Sequence, residues 1–189
     1  MLLPAIFYIV WDSWFTSMGV WAFNPEYITG HIVFNLPAEE VLFFFVVPYC
    51  CVFIYECILC YFPYIKNTAN ADVVLKLLAA ILLITGAFFY YKYYTVFSFI
   101  LLSLFIAGYY RFKKYFPEFK TAVFLTSYVI ILIPFLLVNG FLTALPVVIY
   151  NNAENLGIRI YTIPLEDIFY GMLLVFMNLI IYEKLKTSH

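Results

Sequence analysis

Residues 34–49 read FNLPAEEVLFFFVVPY: two adjacent carboxylates, Glu39 and Glu40, stand directly before a wall of Val, Leu and Phe. Such a stretch fits the start of a membrane-crossing helix. Free N–H groups and the helix dipole favour acids in the first turn, and the apolar run that follows enters lipid. The rest of the chain has the same character. Of its 189 residues, 66% are hydrophobic and 11% charged, against roughly 45–50% and roughly 25% in soluble domains. Single apolar strands would leave backbone groups unpaired in lipid. The expected fold is therefore all-α, a polytopic transmembrane helix bundle. A net charge of −1 gives no bulk attraction to nucleic acid. The opening MLLPAIFYIVWD lacks the basic region of a cleaved signal peptide.

Apolar stretches of crossing length fall at about 1–17, 38–62, 74–91, 94–111, 121–140 and 164–183, giving six expected spans. Asp12 interrupts the first. Lys66, Lys76, Arg111, Lys113, Lys114, Lys120, Lys184 and Lys186 fall on one side, and Lys92 and Arg159 on the other. The positive-inside rule puts the larger set in the cytoplasm. Both ends of the chain are then cytoplasmic, and Glu39 and Glu40 lie on the outer side.

The last span opens as the second does. Pro164-Leu165-Glu166-Asp167 matches Pro37-Ala38-Glu39-Glu40 at an offset of 127 residues. The register holds without a gap for some forty residues. Thr16 falls on Thr143, Asn24 on Asn151, Gly30 on Gly157, Tyr55 on Tyr182 and Glu56 on Glu183, while Asp12 meets Asn139 and Phe34 meets Tyr161. The pattern predicts an internal parallel repeat about an axis along the membrane normal. Residues 1–66 form the first repeat, 67–93 a connecting helix and 94–189 the second repeat, within one membrane-embedded domain. The span at 94–111 has no counterpart, so the first repeat is expected to lack its N-terminal helix.

Duplication changes the meaning of the acids. One pair at a helix start is most simply a capping device. Two related pairs bring Glu39, Glu40, Glu166 and Asp167 towards one intramembrane site, where ionisable groups are costly and point to function. Crowding and burial favour the neutral carboxyl and the helix N-terminus the charged one, so neighbouring acids can divide into an acid and a base. Phe43, Phe44, Tyr170, Trp11 and Trp21 flank the motifs, and ring faces stabilise cations by about 0.5–2 kcal/mol where water is excluded. Cys50, Cys51, Cys57 and Cys60 lie in one apolar span with only His31 and His189 as histidines. They read as apolar fillers, and no metal is implied. Glu56 and Glu183 read as residues of the cytoplasmic interface, with Tyr55 and Tyr182 as anchors.

These residues resemble a known family, the small non-flavin carotenoid cyclases of membranes. It includes two-subunit and fused bacterial lycopene cyclases and a domain joined to phytoene synthase in fungi. Its hallmark is a P-x-E-(E/D) motif in each half, here Pro37 to Glu40 and Pro164 to Asp167. WDSWFTSMGVWAFNP (Trp11 to Pro25), the stretch Leu36 to Glu56 and IPLEDIFYGM (Ile163 to Met172) are also similar to the family. Members usually carry a further helix before the Trp-Asp segment. The resemblance implies closure of an end of lycopene to a β-ionone ring without net redox change and without cofactor. Glu39 and Glu166 are then the expected principal acids, Glu40 and Asp167 bases or tuners, and Asn35, Pro37 and Pro164 positioning residues. The implied setting is a bacterial cytoplasmic membrane. The implied partners are dissolved lycopene and the bilayer, with a homo-oligomer or other carotenoid-pathway enzymes as further candidates. A proton-coupled transporter would also use paired intramembrane carboxylates. The D-x-x-x-D motifs of a polyprenyl transferase are absent from the sequence.

Overall fold

The computed structural model describes residues 1–186. Residues 187–189, the end of the expected second repeat with His189, lie outside the described residues. The helices are α1 (Leu2–Ser17), α2 (Ala38–Tyr61), α3 (Ala69–Phe88), α4 (Tyr93–Arg111), α5 (Thr121–Ala144) and α6 (Leu165–Lys186). Six short strands lie in the two loops that lead into α2 and α6. They are β1 (Trp21–Phe23), β2 (Ile32–Val33), β3 (Leu36–Pro37), β4 (Val148–Tyr150), β5 (Arg159–Ile160) and β6 (Ile163–Pro164).

The chain is a multi-pass membrane protein: α2 to α6 are each long and apolar enough to cross a bilayer. Among the described residues five helices meet that standard where six spans were expected. The sixteen residues of α1 rise about 24 Å, short of a hydrocarbon core of roughly 30 Å. Asp12 in this helix is 3% exposed, enclosed by protein rather than lipid.

α6 is the central helix and packs against α1, α2, α4 and α5. Residues Met172 to Phe176 are buried in succession, so α6 is enclosed on every face there. α3 packs on α4 and shows most of its surface outward. The two come close at Gly86, where an added Cβ would stand 2.8 Å from Ile100. At the opposite end from the strands, ion pairs join Lys113 to Asp72 (2.5 Å) and Lys186 to Glu56 (2.7 Å). Tyr55, expected as an interfacial anchor, is fully buried and belongs to the core.

The two loop systems share a set of contacts at the same offset. The hairpins β2–β3 and β5–β6 pair Ile32 with Pro37 and Arg159 with Pro164. Ala38 N–H donates to the His31 carbonyl (2.8 Å) and Leu165 N–H to the Ile158 carbonyl (2.9 Å). Asn24 and Asn151 each accept on Oδ1 from the amide two residues on. Gly30 and Gly157 take positive φ, 83° and 75°, and so do Phe34 and Tyr161, 51° and 59°. Each member of these sets lies 127 residues from its counterpart. β1 then pairs antiparallel with β4, the strand at its own offset, with Ala22 opposite Ile149 at the centre. Asn24 N–H donates to the Val147 carbonyl and Asn151 N–H to the Val20 carbonyl, both 2.9 Å. This is the arrangement that a local two-fold axis through the ribbon requires.

Pro37 and Pro164 stand at the two junctions between hairpin and helix. Each is the last residue of its hairpin, and the helix starts one position later. A ring without an N–H loses nothing at this junction, and its fixed φ suits the extended residue before the helix.

Candidate active site

A cavity of about 290 Å³ opens among α2, α5 and α6 beneath the β1–β4 ribbon. That is near the lower end for ligand pockets, about 300–1,000 Å³. Its length is walled by Phe43, Val47, Ile54, Ile131, Pro134, Phe135, Val138, Leu142 and Leu174. Three carboxyl-bearing side chains, Asp12, Glu40 and Asp167, line it together with Tyr94, Tyr150, Tyr170 and Trp21. Glu40 and Asp167 are third residues of their helices and Tyr94 is the second of α4. The acids and their phenols therefore gather at the ribbon end, with Asn139 and Thr143 near the end of α5. Cys50 and Val138 line the cavity and are also exposed on the helix surface, so this wall meets lipid on the side of α2 and α5. Pro134, inside α5, removes a helical hydrogen bond beside the cavity.

The hydrogen bonding of the three acids differs. Asp167 accepts one phenol on each oxygen, Tyr94 on Oδ1 (2.5 Å) and Tyr150 on Oδ2 (2.8 Å). Desolvation, then the neighbouring Asp167 charge, pushes the Tyr150 phenol well above its ordinary pKa, so it stays a donor at neutral pH. Asp12 accepts from Tyr170 (2.8 Å), whose ring is held by Tyr8 and Trp11 with centroids 4.7 and 5.0 Å away. Asp12 and Glu40 share the same end of the cavity.

Each motif splits between two tasks. Glu39 is exposed, does not line the cavity, and accepts the Thr29 N–H at 2.7 Å. Its counterpart Glu166 is fully buried, also outside the cavity wall, and accepts the Leu156 N–H (2.7 Å) and the Thr95 hydroxyl (2.6 Å). These two acids tie the incoming loops to the helix starts. Glu40 and Asp167, about 100° further round the helix, face the cavity.

Of the remaining expected residues, Phe43, Tyr170 and Trp21 line the cavity. Phe44 is buried behind it against Tyr8 (5.5 Å), and Trp11 packs on the rear of Tyr170. Asn35 bonds Ser13 through both ends of its amide, at 2.5 and 3.1 Å, and clamps the β2–β3 turn to α1. Pro37 and Pro164 are buried at the hairpin ends. Asp12, Tyr94 and Tyr150 were not anticipated as site residues. The signal for Asp12 was a lone acid in an apolar span. Nothing in the local sequence marks Tyr94 or Tyr150 among the 18 tyrosines.

A family model described as Lycopene cyclase matches residues 1–58 and 91–185, leaving out the stretch that contains α3. No curated protein matches the chain. No solved structure matches it.

Proposed function

The chain belongs to the lycopene cyclase family and is thus an enzyme of carotenoid cyclisation; from this premise we propose that it closes an acyclic ψ-end of lycopene to a β-ionone ring by acid–base chemistry between Glu40 and Asp167. The observation that carries the reading is the pairing of these two carboxyls over one apolar, aromatic-walled cavity. A carboxylic acid protonates the terminal double bond at its CH carbon, so an O–H bond breaks, a C–H bond forms and a tertiary cation results. The internal alkene attacks that cation and closes the ring. A carboxylate removes a ring proton, and the C–H electrons become the ring double bond. Atoms and electrons balance as an isomerisation. General acid–base help of this kind contributes about 10²–10⁴-fold.

The remaining residues fit the same task. Tyr94 and Tyr150 hold Asp167, and Phe43, Trp21 and Tyr170 offer ring faces to a cationic centre. Glu39 and Glu166 serve as positioning residues, a different division from the expected one. A cavity of about 290 Å³ suits one end of a forty-carbon chain. The remainder would leave on the lipid side past Cys50 and Val138. The matched loop contacts at the 127-residue offset support a duplicated origin for the two halves, residues 1–66 and 94–189 joined by 67–93, with their acid ends outward and their basic ends in the cytoplasm of a bacterial inner membrane. Dissolved lycopene and the bilayer are the partners in this reading, alone or with a second copy or other pathway enzymes. Confinement of the acids to one end of an otherwise apolar cavity favours the cyclase over a proton-coupled carrier.

The test is expression of the full chain in a lycopene-accumulating bacterium with chromatography of the pigments. Cyclic carotenoid in place of lycopene is the expected result. Unchanged lycopene with the protein folded in the membrane would overturn the reading.

A further inference from the structure

We propose that Asp12 is a third catalytic carboxyl, and that it and Glu40 together hold the proton delivered to the substrate while Asp167 takes the proton back. The inference rests on the cyclase reading and divides its roles. It starts from an asymmetry among the cavity residues that stand at matching offsets. Glu40 corresponds to Asp167, Phe23 to Tyr150, Phe43 to Tyr170 and Asp12 to Asn139, and all eight line the cavity. Only the second half supplies phenols at these positions, and only the first half supplies the additional acid.

The consequence is chemical. Both oxygens of Asp167 accept phenol O–H groups, an arrangement that satisfies a carboxylate. Asp12 and Glu40 line the acid end of the same cavity. Two like charges at one end of a largely apolar cavity repel, so one of the two carboxyls is better kept protonated. Asp12 is 3% exposed and accepts the Tyr170 hydroxyl. The Asp12–Glu40 O–H bond breaks as the substrate C–H bond forms. Asp167 then gains the proton released when the ring double bond forms. Its return from Asp167 to Glu40 across the acid end of the cavity resets the site.

Asp12→Asn is the discriminating variant, since its amide oxygen can still accept the Tyr170 hydroxyl. Turnover of lycopene by the purified full chain in detergent should fall at least about a hundredfold, with an unchanged melting curve, and Asp12→Glu should restore most of it. Infrared spectra of the substrate-free protein supply a readout independent of turnover. A protonated-carboxyl band, shifted in D2O, should move or disappear in both Asp12→Asn and Glu40→Gln and persist in Glu39→Gln. Asp12→Asn turning over within threefold of the parent, or an infrared band untouched by it, would overturn the inference and leave the cyclase reading intact. A folded parent chain that leaves lycopene uncyclised would overturn both.

Discussion

Two adjacent carboxyls in each motif are assigned to opposite tasks, and the difference is one step of helical phase. Glu39 and Glu166 meet the Thr29 and Leu156 amides, while Glu40 and Asp167 turn into the cavity. Glu40→Gln and Asp167→Asn should each reduce turnover by about 10²–10⁴-fold, whereas Glu39→Gln should keep cyclising; pigment ratios at equal expression report both. Tyr150→Phe removes one of the two hydrogen bonds to Asp167. It should slow turnover about tenfold, the equivalent of roughly 1.4 kcal/mol, as read from initial rates. That acids of both motifs gather at one place was legible from the duplicated motif, but which acid of a pair faces inward was not. The answer depends on where a loop amide needs an acceptor, and that is a property of the folded hairpin. Asp12 could have been picked out, because an uncompensated acid in an apolar run has few reasons to be there.

The helices themselves were readable from hydropathy, with errors at their ends and in taking the short α1 for a span. α3 starts at Ala69 rather than near 74. Thr68 caps it by accepting the Ala71 N–H, and Asp72 is paired with Lys113 and accepts the Tyr110 and Thr121 hydroxyls. A hydropathy window discards such residues because it cannot see their partners. The six strands were not foreseen, since two or three residues carry no periodicity. Their turns did leave traces. Gly30 and Gly157 sit where φ is positive, a region that suits a residue without Cβ. Gly157→Val should lower the melting temperature of the detergent-solubilised protein, by an amount corresponding to about 1–2 kcal/mol. Glu166→Ala should cost about 2–4 kcal/mol, because it strands the Leu156 amide and the Thr95 hydroxyl in a buried place. A chevron or equilibrium unfolding series in mixed micelles measures either change.

At the scale of the whole molecule, α6 serves as the axle. It brings Asp167 opposite Glu40 of α2, while the β1–β4 ribbon caps the acid end and the α2–α5 side faces lipid. A polyene dissolved in the bilayer can then enter end-first without crossing water. Val138→Trp, placed on the lipid-facing wall, should raise KM for lycopene far more than it lowers kcat, as steady-state kinetics in lipid nanodiscs would show. The most direct test of the central claim is the pigment profile of lycopene-accumulating cells that express the parent chain, Glu39→Gln, Glu40→Gln or Asp167→Asn. The account predicts cyclic carotenoid with the first two and retained lycopene with the last two. Cyclisation at the parent level by Glu40→Gln and Asp167→Asn, with lycopene retained in Glu39→Gln, would contradict it.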